Sequence, residues 1–274
     1  ARHTLSRDQN HRDSNRKVIM SSLVITQLTN IPLISKGDDL SQILHQSVRD
    51  LGLTFQDGDI LVVTSKIVSK SEGRKIRLSE VTPSKRALEL GSEVKRDPRL
   101  VELILSESRD IIRATEQAFI VEHKLGFICA NAGIDHSNVQ SDNEGEDDWH
   151  LLLPENPDQS ARRFSSDLKR TTGKKVGVLI IDSQGRPWRR GTVGAVIGTS
   201  LVPTIVDLRG KEDIFGYKLR ITIVAAADEL AASASLMMGQ AAERVPAVHV
   251  RGFPYDLCES TINDVLRPKS SDLF

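Results

Sequence analysis

Val176-Gly-Val-Leu-Ile-Ile181-Asp182-Ser183-Gln-Gly185-Arg186 is a continuous apolar run that ends in an aspartate with a hydroxyl beside it. A second stretch, Phe127-Ile-Cys-Ala-Asn131-Ala-Gly133-Ile-Asp135-His-Ser137-Asn138, repeats the pattern. A carboxylate at the end of a buried strand is held rigidly and still reaches solvent. Two of them, with amide and hydroxyl oxygens nearby, suit a hard divalent cation such as Mg2+ or Mn2+. Either aspartate alone is more simply a turn or cap residue. Two, each after an apolar run and followed by serine, tip the reading toward a ligand pair.

Around these stretches lie groups that suit an anion. Arg189-Arg190, between Trp188 and Gly191, reads equally well as an exposed basic turn and as a guanidinium grip on phosphate or carboxylate. Lys66 and Lys70 follow a β-branched run and are either solvated strand ends or phosphate contacts. The chain holds neither a G-x-x-x-x-G-K-[ST] loop nor a G-x-G-x-x-G turn, so P-loop and dinucleotide folds have no support.

Periodicity places a helix from Leu40 to Gly52 capped by Asp38-Asp39, a turn at 57–59, and a strand over 60–68. Helices are expected from Ser84 to about Val94, from Pro98 through Ile111, from Ser160 to Gly173, and from Asp228 to about Ala242. Further strands are expected at 119–122 paired with 127–130, at 219–226 and at 247–251, and 138–159 reads as a polar loop. The mixture has no regular βαβ rhythm, which favours an α+β fold.

The chain has 274 residues, 39% of them apolar, enough for a sizeable core. Its 37 basic and 37 acidic side chains cancel, and aromatics make up only 4%, so a nucleic-acid partner is not expected. Cys129 and Cys258 form no metal or redox pair, and a reducing cytoplasm is the expected compartment. No apolar run approaches the roughly 20 residues that span a bilayer. Residues 1–19 read as a polar, mobile N-terminal extension with Met20 as a natural start, and 20–274 as one catalytic domain.

Several ordered blocks resemble the coenzyme F420-0:γ-glutamyl ligases in their free-standing form. They are Ile31-Pro-Leu-Ile34 with Gly37-Asp-Asp-Leu40, Asp57-Gly-Asp-Ile-Leu-Val-Val63 through Arg74, Asn131-Ala-Gly-Ile-Asp135 with Ser137-Asn138, Asp182-Ser-Gln-Gly-Arg186 with Arg189-Arg-Gly191, Ala227-Asp-Glu-Leu-Ala-Ala232 with Met238-Gly239, and Val245-Pro-Ala-Val248. The resemblance implies a GTP-dependent ligase that uses Mn2+ or Mg2+ to join L-glutamate to F420-0 and then extends a γ-linked tail. It also implies a mixed-sheet α+β fold assembled as an intertwined homodimer. Carried over by motif, Asp135, Asp182, Ser183 and Gln240 would hold metal. The nucleotide would meet Ile31, Pro32, Leu33, Ile34, Ser65, Lys66, Lys70, Asn138 and the run Met238, Gly239, Gln240, Ala241, Ala242, Glu243, Arg244 and Val245. Arg189 and Arg190 are candidates, on chemistry alone, for gripping the acceptor carboxylate or the transferred phosphoryl group. Ser183 stands where the family often has Thr, and Gln240 where archaeal members carry Glu, which removes one negative charge. The acidic stretch 142–148 is longer than in compact relatives. A nucleotide- and metal-binding module without ligase activity, and a similar ligase acting on another carboxylate, are the alternatives.

Overall fold

The computed structural model describes residues 22–139 and 148–271. In chain order the elements are β1 (Val24–Gln27), α1 (Leu40–Asp50), β2 (Ile60–Thr64), α2 (Ser65–Ser71), β3 (Lys75–Arg77), α3 (Lys85–Val94), α4 (Pro98–Ser106), β4 (Ser108–Ala114), β5 (Phe119–His123), β6 (Ile128–Ala130), β7 (Trp149–Leu151), α5 (Pro157–Thr172), β8 (Gly177–Gly185), β9 (Thr192–Ser200), β10 (Val206–Asp207), β11 (Ile223–Val224), α6 (Ala226–Met238) and β12 (Ala247–Arg251). The α+β class is as expected. The 1–19 extension, most of the acidic stretch and the last three residues lie outside the described residues.

The main sheet has the order β1-β12-β2-β8-β9. Only β2 and β8 run parallel, in the register Ile60↔Gly177 to Thr64↔Ile181. Both strands are apolar at successive positions because both faces of the sheet are covered. Leu61, Val63, Val178 and Ile180 join one core with α1 and α5. Ile60, Val62, Leu179 and Ile181 join a second core with Leu230, Ala231 and Met238 of α6. The first core continues into the three-stranded β4-β5-β6 sheet through Phe119, Val121, Phe127 and Cys129.

A bulge shapes β9. Ile181 pairs with Val196 and Ile180 with Gly198, so Ile197 is an extra residue in the strand. Val196 therefore packs with the α6 core and Ile197 with the α5 core. Gly198 meets the start of α5 so closely that a Cβ would sit 2.4 Å from Pro157 Cβ. Gly194 serves α6 in the same way, as a Cβ there would sit 2.5 Å from the Ala231 carbonyl oxygen.

Far from the place where Thr64 pairs with Ile181, a charge cluster closes the sheet. Asp59 accepts from Arg251 Nε at 2.8 Å and Nη2 at 2.6 Å, and is 2.8 Å from His249 Nε2. Burial opposes its charge, but the Arg251 and His249 bonds outweigh this and hold its pKa below the usual carboxylate value.

Several boundaries differ from the sequence reading. The strand expected over 60–68 stops at Thr64, and the β-branched Ile67 and Val68 are core residues of helix α2. The helix expected from Pro98 through Ile111 ends at Ser106, where β4 begins and pairs with β5. The 160–173 helix starts earlier, at Pro157, because Asn156 caps it by accepting from Gln159 N at 3.0 Å. Such a cap stabilises by about 1 kcal/mol. The glycine-rich 191–198 stretch is strand β9, the 219–226 strand shrinks to Ile223–Val224, and the last helix spans Ala226–Met238, ended by Gly239. The polar 138–159 loop holds strand β7, which pairs with β3, and the first turn of α5. Strand pairing between distant segments decides most of these limits, and local propensity does not report it; the Asn156 cap is a local signal that the sequence reading passed over.

Two predictions follow from the packing. Gly198→Ala should lower unfolding free energy by about 1–3 kcal/mol, the usual cost of overpacking, in urea denaturation; an unchanged midpoint would mean that α5 does not rest on β9. The second concerns His123, whose Nδ1 accepts from Leu125 N at 3.0 Å inside the core. Burial, then the charges of Arg74, Lys124 and Arg109, push this imidazole down to about 4. Histidine in an unfolded chain titrates near ~6.5. Between these values the unfolded state binds the extra proton, so stability is full above the upper value and falls as pH drops toward the lower one. Each unit of difference corresponds to ~1.4 kcal/mol. Unfolding free energy should therefore decline from pH 7 to pH 4.5, and His123→Phe should remove that part of the slope.

Candidate functional site

The parallel β2–β8 register carries two chain segments to the same edge. Thr64 is the last residue of β2, and its neighbour Ile181 is followed at once by Asp182. Ser65, the first residue of α2, donates its hydroxyl hydrogen to Asp182 Oδ1 at 2.9 Å. One helical position on, Lys66 forms an ion pair with Asp135. The strand-to-helix elbow thus joins the two aspartates picked out from sequence.

Neither aspartate ends a strand as the sequence reading had it: Asp182 lies inside β8, which runs on to Gly185, and Asp135 lies beyond β6. After β6 the chain makes a tight turn with positive φ at Asn131, Ala132 and Gly133. Asn131 anchors this turn, its Oδ1 accepting from Arg96 Nη1 at 2.7 Å and from Phe119 N at 3.1 Å. Asp135 then pairs with Leu151 of β7 through both backbone hydrogen bonds.

The carboxylates feel each other. Burial chiefly, and then the negative charge of Asp135, push the Asp182 carboxyl up to about 6, against the pull of Ser65 and Lys66. Cys129 lies behind them. Burial and then the Asp182 charge push its thiol up to about 12, so it stays protonated and inert. Lys70 donates to the Asn138 carbonyl at 2.8 Å. Its ammonium pKa is lowered by burial first and then by Lys66 and Lys75, so positive charge is crowded at this edge.

These groups open onto a cavity of about 650 Å3, within the usual range for small-molecule sites. All the residues expected at the nucleotide line it: 31–34, Ser65, Lys66, Lys70, Asn138 and 238–245. Asp182 and Ser183 line it too, while Asp135 sits behind Lys66. Thr64, Ile67, Val139, Ile181, Ser235 and Pro246 complete the wall. Sequence reasoning missed these because it carried over only the positions matched by motif; most of them are direct chain neighbours of those positions.

The wall over the carboxylates is the loop after α6. Gly239 turns it with φ 75 and ψ −178, a conformation essentially confined to glycine. A Cβ there would lie 2.3 Å from Glu243 Cδ, and the Glu243 carboxylate accepts from Ala241 N at 2.7 Å. Asn138 Nδ2 donates to the Ala241 carbonyl at 3.3 Å and so ties the opposite wall to this loop. Ser183 donates to Gln240 Oε1 at 2.7 Å.

Arg189 and Arg190 stand apart. They lie at the exposed tip of the β8–β9 hairpin, outside the cavity lining, beside a Trp188 that is 92% exposed.

No group of three or more His, Cys, Asp or Glu residues able to hold a metal occurs among the described residues. The expected donors are instead two carboxylates, a hydroxyl and an amide oxygen. This all-oxygen set fits a magnesium-like ion, which typically takes one or two carboxylates and fills its shell with water and phosphate oxygens. Burial and then the nearby Asp135 charge disfavour the ionised Asp182 carboxyl, and such an ion would offset both.

Comparison with known proteins agrees with the motifs. A family model described as F420-0:Gamma-glutamyl ligase matches residues 29–252. A protein of Methanothermobacter thermautotrophicus named coenzyme F420:L-glutamate ligase is 44% identical over 246 residues, 89% of this chain and 95% of that protein. A protein of the same name from Methanocaldococcus jannaschii is 39% identical over 246 residues, 89% of this chain and 94% of its own length. Another from Methanopyrus kandleri is 40% identical over 262 residues, covering 93% of this chain and all of that protein. The chain belongs to the F420-0:γ-glutamyl ligase family.

Proposed function

We propose that this chain uses GTP to join the amine of L-glutamate to the carboxylate of F420-0 and then extends a γ-linked tail. The observation that carries the proposal is the Ser65–Asp182 and Lys66–Asp135 pairing at the edge of the 650 Å3 cavity. It gathers negative oxygens for a cation and ammonium groups for phosphate in one place. Family membership supplies the substrates, through the names of the relatives.

A carboxylate is a poor electrophile. Transfer of the γ-phosphoryl group of GTP to its oxygen gives an acyl phosphate and GDP; attack by the glutamate amine then forms the amide, releases phosphate and loses a proton. The protein's part is positioning and charge neutralisation. Asp182, Asp135, Ser183 and Gln240 would hold Mg2+ or Mn2+, which would screen the phosphate charge. Lys66 and Lys70 face the triphosphate, and the 31–34 and 238–245 segments enclose the nucleoside. Arg189 and Arg190 have a different place in this reading. The chain works as a homodimer, and the exposed hairpin tip, with the exposed Ile214, Phe215 and Ile221, belongs to the contact between copies.

The second reading, a nucleotide- and metal-holding protein without ligase activity, is favoured by the uncharged amide at Gln240.

The deciding experiment is mass spectrometry of a reaction holding GTP, Mn2+, glutamate and F420-0. Products heavier by glutamyl units, with matching GDP, are expected; nucleotide binding without conjugate would favour the second reading. Asp182→Asn should reduce turnover by at least about 100-fold, the scale on which transition-state charge stabilisation is lost, with an unchanged thermal midpoint. Retained turnover would remove Asp182 from the chemistry. In sedimentation the protein should run as a dimer, and Phe215→Ser with Ile221→Ser as a monomer. A monomeric parent would sink the assembly proposal.

A further inference from the structure

Alternate residues of a strand share a face, and β8 keeps this pattern through Asp182. Ile181 packs in the α6 core, and Ser183, on the same face, donates to Gln240 beyond α6. Ile180 packs in the other core with Cys129, and Asp182 continues that face beside Cys129 and Asp135. The next positions on the Asp182 face are Gln184 and, just past the end of the strand, Arg186. β2 pairs with β8 only as far as Ile181, whereas β9 stays with it to Gly185. From Asp182 onward β8 therefore has a strand on one side only. Val193 and Ala195 of β9, opposite Gln184 and Asp182, give this face a small apolar floor.

Gln184 and Arg186 are both half-buried, and both lack a partner among the described residues. Gln184 Nε2 is closed off from solvent without a hydrogen bond. The Arg186 guanidinium makes neither a hydrogen bond nor an ion pair. Other half-buried arginines are not left so. Arg74, Arg96, Arg99 and Arg251 each donate to a carboxylate or amide oxygen. Polar groups withdrawn from water are nearly always paired in a folded protein, so two neighbours that are not point to a partner that arrives from outside. One small molecule carrying an ammonium and a carboxylate would satisfy both. An ammonium selects the oxygen end of an amide, which can turn to meet it, and a guanidinium takes a carboxylate through two parallel hydrogen bonds.

We propose that Gln184 and Arg186 form the subsite for the incoming L-glutamate, with Arg186 taking a carboxylate and Gln184 the amine. The inference rests on the ligase reading above and adds to it the place of the nucleophile. Gln184 lies one strand repeat, ~7 Å, from Asp182, which puts an amine held there within reach of a carboxylate activated at Asp182. A single subsite of this kind serves every round of tail growth. The acceptor changes from F420-0 to the last glutamyl residue, but the attacking group is each time the α-amine of a free glutamate.

The test is steady-state kinetics of the full chain with F420-0, GTP, Mn2+ and varied L-glutamate. Arg186→Ala should raise the glutamate KM at least about tenfold, the usual loss with a charged hydrogen-bond partner, and leave the GTP KM within about twofold. Arg186→Lys, which keeps the charge but not the fork, should recover part of the loss. Gln184→Leu should also raise the glutamate KM while the GTP KM stays in place. Hydroxylamine is a small amine with no carboxylate. In place of glutamate it attacks an acyl phosphate, giving a hydroxamate and phosphate, and with it the gap between the parent and Arg186→Ala should close. An unchanged glutamate KM in either the Arg186→Ala or the Gln184→Leu variant, or an equal loss with glutamate and with hydroxylamine, would overturn the subsite. A parent that forms no glutamyl conjugate would overturn the ligase reading itself, a failure distinct from both.

Discussion

The parallel pairing of β2 with β8 is the constraint on which the rest depends. Parallel strands cannot be joined by a tight turn, so the chain must travel a long way between them. The intervening residues build α1's partner helix α5, the β4-β5-β6 sheet and the turn that carries Asp135. The register then decides the chemistry. Thr64 opposite Ile181 places Ser65 against Asp182, and a one-residue slip would exchange the two cores of each strand as well as part that bond. Burial on both faces makes such a slip costly, and that cost holds the functional groups in place.

Charge at the cavity edge is balanced locally rather than globally. Burial, and then the charge of Asp135, raises the Asp182 pKa, while burial, and then the charges of Lys66 and Lys75, lowers that of Lys70. Interleaving the two sets through the Lys66–Asp135 pair makes each tolerable. Such an edge changes its balance readily when a cation or an anion arrives. The metal–triphosphate pair proposed for it brings both signs together.

Much of this was legible in the sequence because it is local. The Asp39 cap of α1, the β5–β6 hairpin and β12 follow from neighbouring residues, and the cavity wall at 31–34 and 238–245 from motif resemblance. Contacts across the chain were not legible. Nothing local says that Ile67 and Val68 turn into a helix, since the strand ends where β8 stops pairing with it. Asp135 was found, but its support is a bridge to Leu151, sixteen positions on, and a preceding turn built from left-handed residues. The arginine pair was placed by chemical plausibility alone, and the hairpin carries it away from the cavity lining.

The Asp59–His249–Arg251 cluster lies at the opposite end of β2 from Ser65. Cohesion and chemistry thus occupy the two ends of one strand. The cluster grips β2 and β12 where no ligand need enter, so the other end can be re-lettered without loosening the sheet. A lineage drifting toward a new acceptor could alter the cavity rim many times over while the far clamp preserved the frame. Variation in such proteins should be graded along the strands, freer at the rim and stricter at the clamp.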